Sequence, residues 1–262
     1  MTGAPVSVTL IDKRNYHLFR PMLYQVGTGL SDEIAGPLLS ILNRQKNGAL
    51  LLDEVSTIDT EKRLVPLKQH VVPYEFLVLA TGIQYNYFGH EHWRHTAPGL
   101  ESLRGADLIR GKILLAFERA EEIAALDQAD TEKIRQLLTF VLVGGGTVGV
   151  EMASTLAEMS RMALAHDFRH IDPRPAGIPL YEAAPRVLPT FPEVLSNAAQ
   201  RHLESLGVKV YTNTRVTKVD AAGIAANGER VPAGTVLWSG GVLASPAGRW
   251  QGAPMDKSGK LS

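Results

Sequence analysis

The sequence predicts an α/β fold organised around a parallel sheet, and three observations carry that expectation. From residue 139 onward, short apolar runs alternate with segments of helical length. Within that region residues 141–151 read Val-Leu-Val-Gly-Gly-Gly-Thr-Val-Gly-Val-Glu, a buried-strand pattern running directly into G-x-G-x-x-G. Near the start, Leu10-Ile11-Asp12 reads as another strand, ended by an acid. Strands and helices alternating at these lengths imply βαβ units.

Taken in order, residues 6–12 alternate and then run apolar into Asp12. Residues 13–29 are read as a loop with aromatics and Pro21, and Pro37 as the opening of a short helix over 38–42. Residues 49–58 and 63–67 are read as strands joined by the polar turn 59–62, a hairpin or meander. Residues 74–81 form a further buried strand stopped by Gly82, and 90–98 form a loop. Residues 103–126 carry the apolar spacing of a long amphipathic helix, with Leu103, Leu114, Phe117 and Ile123 among its apolar positions. The polar stretch 128–132 is a candidate boundary. Beyond it come strand 139–143, helix 148–166, strand 178–183, helix 193–206 capped by Gly207, and strand 208–211.

The 262 residues suffice for one large domain or two modest ones. They hold 27 Lys plus Arg against 27 Asp plus Glu, a balance that points neither to nucleic acid nor to an anionic membrane. No stretch approaches the ~18 uninterrupted apolar residues of a spanning helix, and residues 1–8 lack the regions of a signal peptide. The cytoplasm or an organelle interior is the expected compartment. There are no cysteines, which removes disulfide scaffolds, thiolate metal sites and thiol redox chemistry.

Gly144, Gly146 and Gly149 have separate tasks in a dinucleotide fingerprint. The first permits a tight turn, the second lets backbone approach a pyrophosphate, and the third lets helix and strand pack closely. The helix that follows offers free N–H groups and a positive dipole end to phosphates. A merely glycine-rich turn is the alternative. Glu182 ends the next strand, where an acid accepts hydrogen bonds from an adenosine ribose and repels a 2′-phosphate, favouring NADH over NADPH. It lies 33 residues after Gly149, beyond the usual ~20, an excess absorbed by the long helix and the 169–175 connection. Glu182 also reads as a solvated strand-end acid. Asp12 repeats the strand-end logic at the start of the chain.

Residues 15–29, Asn-Tyr-His-Leu-Phe-Arg-Pro-Met-Leu-Tyr-Gln-Val-Gly-Thr-Gly, are similar to the loop after the second strand in type II NADH dehydrogenases. Residues 74–82, Tyr-Glu-Phe-Leu-Val-Leu-Ala-Thr-Gly, resemble the Ala-Thr-Gly strand of two-dinucleotide-domain flavoproteins, and 87–89, 97–100, 167–174 and 236–241 continue the match. The resemblance implies a Rossmann-like NAD-binding domain inserted in an incomplete FAD-binding domain: residues 1–131 partial FAD-binding, 132–241 NAD(H)-binding, 242–262 a return to the FAD-binding domain. It implies an FAD-dependent, non-proton-pumping NADH:quinone oxidoreductase in which NADH gives a hydride to FAD and the flavin reduces a quinone. In its intact form such a protein lies peripherally on the cytoplasmic side of the inner membrane, with a homodimer as a candidate assembly.

By the same resemblance Asp12 would hold the FAD ribose, and Val55 would lie near the adenine. Ala80, Thr81 and Gly82 would line the flavin, Pro21 would lie near the isoalloxazine, and Gly240 and Gly241 join the cofactor contacts. Glu151 is the candidate catalytic residue, at the place where nicotinamide would stack on flavin. It reads equally as a first-turn acid favoured by the helix dipole. The cofactors carry the electrons, so the protein needs to stack two rings and exclude water. Disulfide reductases and sulfide:quinone reductases share the architecture but work through cysteines, which this chain lacks.

Two parts of the family pattern are expected to be missing. One is the N-terminal strand, glycine loop and helix that grip the FAD pyrophosphate. The other is everything beyond Ser262, including a Gly-Asp flavin contact and membrane-binding amphipathic helices. Alone, the chain is expected to be soluble, to bind FAD weakly or not at all, and to expose core surface. The alternatives are an inactive or FAD-poor nucleotide-binding fragment and another NADH-dependent flavoprotein reductase.

His90, His92 and His95 surround Trp93, and His166 and His170 have i, i+4 spacing. Both sets are read as solvated histidines, with no metal expected. Glu118, Glu121 and Glu122 are read as a polar helix face. Tyr16, Phe19 and Tyr24 are read as packing beneath the flavin, with a quinone-side lining as the alternative.

Overall fold

The computed structural model describes residues 5–29, 34–126 and 128–251. The chain divides into two compact units, one of residues 1–19, 33–84 and 242–262, the other of residues 20–32 and 85–241.

The larger unit is built on a four-stranded parallel sheet in the order Lys209–Tyr211, Pro179–Tyr181, Phe140–Val143, Thr235–Trp238. Every residue of Phe140–Val143 and Thr235–Trp238 is buried. Parallel strands covered on both faces need apolar side chains on both, so these stretches read as continuous apolar runs. The Leu103–Ala124 helix starts where the Ser102 hydroxyl accepts the Gly105 N–H at 3.1 Å. It buries Ile109, Ile113 and Phe117 almost completely, each contributing about 1.5–3 kcal/mol, and the Phe117 ring meets Phe140 at 5.2 Å. The helix Thr147–Glu158 leaves the glycine loop and widens into a π turn at Met159–Ala163. The Glu193–Ser205 helix ends at Gly207, whose φ of 76° needs no Cβ. An antiparallel meander, Val216–Asp220, Gly223–Ala226 and Glu229–Pro232, leads back to the sheet.

Two expectations change in this unit. The 13–29 loop contains the short helix Leu23–Gly27, with Leu23 and Val26 buried against the Leu103–Ala124 helix. The polar stretch 128–132 opens a helix, Thr131–Leu137. Its polarity is that of an N-terminus, with the Asp130 carboxylate accepting the Lys133 N–H at 2.9 Å.

In the smaller unit Val8–Asp12 pairs in parallel with Gly48–Leu52, from Val8 opposite Gly48 to Asp12 opposite Leu52. This corrects the expected 49–58/63–67 hairpin. The five-residue parallel pairing takes the first strand, and Leu64–Pro66 pairs instead with Val71–Pro73. An Asp59–Leu64 bridge is what remains of the hairpin. Pro37 opens the Leu38–Leu42 helix as expected. The stretch 74–81 is not a buried strand: no described strand pairs with it, and Phe76 and Val78 are 92% and 86% exposed. An apolar run becomes a buried strand when neighbours take up its N–H and C=O groups, and among the described residues this stretch has one such bond, from Tyr74 N to Arg63 O at 3.0 Å.

The packing boundary near residue 84 and the 131/132 boundary drawn by cofactor divide the chain on different grounds. The Leu103–Ala124 helix packs with the glycine-loop sheet whichever ligand its residues serve. Among the described residues no helix is long and apolar enough to cross a membrane.

Candidate functional site

The glycine loop leaves the carboxyl end of Phe140–Val143, a central strand of the parallel sheet, where ligands bind in open α/β sheets. Gly144 turns the chain at φ 109°, and a Cβ there would stand 2.6 Å from Gly240 N and the Ser239 carbonyl. A Cβ on Gly149 would collide with the Gly144 carbonyl oxygen and lie 2.7 Å from Ser239 Oγ, so helix and loop touch backbone to backbone. Gly146 differs from both. Nothing lies within 4 Å of its Cβ position, and it caps the Thr147–Glu158 helix without any side-chain hydrogen bond. The helix therefore presents unsatisfied N–H groups and its positive end to open space, the arrangement that receives a phosphate.

Two neighbours fix this loop. Glu182, just past Pro179–Tyr181, accepts hydrogen bonds from Gly145 N at 2.6 Å and Ala184 N at 2.7 Å. Its half-buried carboxylate thus ties two strand ends together. On the other side Ser239 N donates to Val143 O at 2.7 Å, and Ser239 Oγ donates to Gly144 O at 2.9 Å and Val143 O at 3.0 Å. Sequence reasoning missed Ser239. The available signal was a hydroxyl placed between a buried strand and the Gly240-Gly241 pair.

Gly240 and Gly241 sit beside an aromatic cluster. Tyr87, Trp93 and Trp238 are buried; Tyr87 stacks on Trp238 at 5.0 Å and His90 stacks on Trp93 at 4.1 Å. Trp238 Nε1 donates to Asn86 O at 3.0 Å and Tyr87 Oη donates to Ala97 O at 2.9 Å. The residue 86–98 segment is thereby clamped to the strand before Ser239, and a Cβ on Gly241, at φ 93°, would press on the Phe88 ring at 2.8 Å.

Glu151 stands just past the first turn of the loop's helix; that turn carries no acid, which corrects the reading of Glu151 as a first-turn acid. Its side chain is solvent-accessible, yet desolvation raises its carboxyl above the usual range with no charged partner to offset it. Pro21 is exposed in a 3-10 turn, Arg20–Met22. In the smaller unit the Asp12 carboxylate accepts the Arg14 N–H at 2.9 Å at its strand end. Beside it a cleft of about 510 Å³ is lined by Lys13, Asp53, Glu54, Lys68 and His70 among others. Val55 is half-buried close by in sequence, and Ala80, Thr81 and Gly82 are exposed, with the Thr81 hydroxyl bonded to that of Ser245.

The histidines and glutamates also find places. Among the described residues no three His, Cys, Asp or Glu are arranged to hold a metal. His170 Nδ1 lies 2.8 Å from the Glu121 carboxylate, which also accepts the N–H groups of Arg169, His170 and Ile171. This corrects the reading of Glu121 as part of a solvated face. Burial acts to raise its carboxyl, but the His170 ring and the three amides outweigh it and hold it down to about 2.

A sequence model of the family described as pyridine nucleotide-disulphide oxidoreductase matches residues 1–262. The type II NADH:quinone oxidoreductases NdhA and Ndh of Mycobacterium tuberculosis are 41% and 40% identical over 98% and 94% of this chain, and the matches cover 57% and 54% of those proteins. The chain spans about half the length of the curated relatives it matches. The structure of NDH2 from Plasmodium falciparum in complex with NADH superposes with a TM-score of 0.82 at 22% identity, covering 95% of this chain and 53% of that one. A sulfide:quinone oxidoreductase from Aquifex aeolicus superposes at 0.74 with 15% identity.

Proposed function

The chain belongs to the pyridine nucleotide-disulphide oxidoreductase family, and from that membership we propose that it forms the NADH-binding and part of the flavin-binding portion of an FAD-dependent NADH:quinone oxidoreductase. The observation that carries the reading is the Gly146 helix N-terminus, open to solvent and flanked by a strand-end acid. When bound, NADH would supply a hydride, and FAD would accept it and pass electrons to the quinone.

The residues present fit NADH and, for FAD, the adenosine and flavin ends. The Gly146–Thr147 amides would receive the NADH pyrophosphate, Gly144 and Gly149 would keep the loop tight, and Glu182 would turn its free acceptor capacity to the ribose hydroxyls. Ser239 would hold the loop's first carbonyl. Glu151, ionised, would favour positive charge developing on the nicotinamide ring. In the other unit Asp12 would take the FAD ribose, the adjoining cleft would take the adenosine with Val55 near the adenine, and Ala80, Thr81 and Gly82 would line the flavin. Pro21, Gly240 and Gly241 complete the proposed contacts. By cofactor, residues 1–131 and 242–262 would serve FAD and 132–241 NAD(H). The cysteine-free sequence supports quinone rather than a disulfide or sulfide as the flavin's partner.

A peripheral position at the cytoplasmic face of the membrane and a homodimeric assembly are part of the same proposal; the quinone in the relatives' names supports the membrane position alone. The test is NADH oxidation with a water-soluble quinone, measured with and without added FAD. Turnover that requires FAD supports the reading. Retained NADH binding without turnover under either condition would favour a nucleotide-binding fragment.

A further inference from the structure

We propose that the stacked Tyr181–Tyr211 pair is the platform on which the adenine of NADH lies, and that the base is recognised through its ring face rather than its edge. The inference rests on the proposed NADH site and adds the residue that reads the base. Strand order places it. The glycine loop leaves Phe140–Val143, Glu182 follows the neighbouring strand Pro179–Tyr181, and Lys209–Tyr211 lies beyond that strand at the edge of the sheet. A dinucleotide with its pyrophosphate at Gly146 and its adenosine ribose at Glu182 therefore runs toward Tyr211, with the nicotinamide half on the opposite side. The end of Lys209–Tyr211 stands one strand spacing, about 4.8 Å, past the strand that carries Glu182.

Backbone hydrogen bonds hold that end beside the acid. Glu182 N donates to Tyr211 O at 2.8 Å, Asn213 N to Ala184 O at 2.9 Å, and Thr214 N to Glu182 O at 2.9 Å. Tyr211 lies opposite Tyr181 in the parallel register, and the two rings stack at 4.8 Å with 9° between their planes. Tyr181 is buried, whereas Tyr211 is 41% exposed. Because Lys209–Tyr211 is an edge strand, no described strand covers the far side of Tyr211. A buried ring thus backs an exposed one. The backing restricts Tyr211 before any ligand arrives, which lowers the ordering cost of binding. A polar side chain would discriminate bases by hydrogen bonds to their edges. An aromatic ring requires only a flat partner, since every base has a π-face.

Calorimetric titration of the 262-residue chain tests this with NADH and with ADP-ribose, which keeps the adenine and pyrophosphate but lacks the nicotinamide. Tyr211→Ala should weaken both ligands roughly tenfold, within the range of aromatic–base stacking. Tyr211→Phe keeps the ring and should bind both within about twofold of the parent. The parent should also bind the hypoxanthine analogue of NADH within about threefold of NADH itself, because losing the exocyclic amino group alters the edge of the base and leaves its π-face. Three results would overturn the platform while leaving the NADH site standing: unchanged affinity in Tyr211→Ala, a loss in Tyr211→Phe as large as in Tyr211→Ala, or a hypoxanthine analogue bound at least about tenfold more weakly than NADH. A parent that binds neither NADH nor ADP-ribose would overturn the NADH reading itself, and the platform with it.

Discussion

The Glu182 carboxylate and the Gly145 amide are joined by a 2.6 Å hydrogen bond, so the acid that ends one strand also fixes the loop that ends its neighbour. In the proposed NADH site, ribose recognition and the shape of the glycine loop would therefore depend on one side chain. Glu182→Gln keeps the size and removes the charge. It should lower stability by about 1–2 kcal/mol, because two charge-assisted hydrogen bonds become neutral ones. It should also narrow the preference for NADH over NADPH by roughly tenfold, the equivalent of about 1.4 kcal/mol. Thermal unfolding and parallel titrations with the two nucleotides read both effects. An unchanged preference would remove Glu182 from ribose recognition.

The fingerprint glycines should separate folding from binding. A methyl at Gly149 meets the Gly144 carbonyl, a backbone atom that cannot turn aside, so Gly149→Ala should cost at least about 1–3 kcal/mol of stability. A methyl at Gly146 enters open space. Gly146→Ala should leave the melting temperature within a degree or two and weaken NADH binding about tenfold or more by blocking backbone approach. Equal NADH affinity in Gly146→Ala and the parent would count against a pyrophosphate at that amide.

Ser239 offers a smaller, local test. Ser239→Ala removes the hydroxyl that bonds Gly144 O and Val143 O, and should cost about 1 kcal/mol while loosening the loop's first turn. Amide hydrogen exchange at residues 144–149 should accelerate. Unchanged protection there would mean that the Ser239 backbone bond alone holds the loop.

The parts of this arrangement differ in how far the sequence discloses them. The strands at 140–143 and 179–181 were legible because burial on both faces demands unbroken apolar runs, and Glu182 was legible as the acid after such a run. Ser239 and Glu121 were not. Ser239 Oγ reaches a carbonyl 96 positions back along the chain, and Glu121 reaches amides 48 to 50 positions ahead. No local pattern encodes such contacts. The 74–82 stretch is the converse case: its Ala-Thr-Gly motif is recognisable, yet its pairing depends on neighbours that no local composition supplies.

Glu121 gives a pH dependence with a definite sign. Its folded-state carboxyl is held to about 2, well below the ordinary glutamate value, so the ionised form stabilises the fold. That contribution is complete above the unfolded value and is lost as pH falls toward the folded one. Glu121→Gln should therefore be less stable than the parent at pH 7 by about 1–3 kcal/mol, with the gap closing between roughly pH 5 and 2. Denaturant unfolding at pH 7, 5 and 3 measures it. A gap that stays constant with pH would show that the carboxylate charge is not what holds residues 169–171.

Glu151 has the opposite displacement, raised by desolvation, so its carboxylate forms at higher pH than an ordinary glutamate's. In FAD-supplemented assays NADH oxidation should fall on the acid side as this group protonates. Glu151→Gln should lower kcat about tenfold, or about 1.4 kcal/mol, and lack that acid limb. A variant with the same limb would assign it to another group.

Calorimetric titration of NADH into the purified chain tests the central claim most directly, that the loop from Gly144 to Gly149 is the NADH site. The account predicts saturable one-to-one binding, NADPH binding at least tenfold weaker, and loss of the NADH signal in Gly146→Val with the fold intact. Binding that Gly146→Val leaves untouched, or a folded parent that binds no NADH, would contradict it.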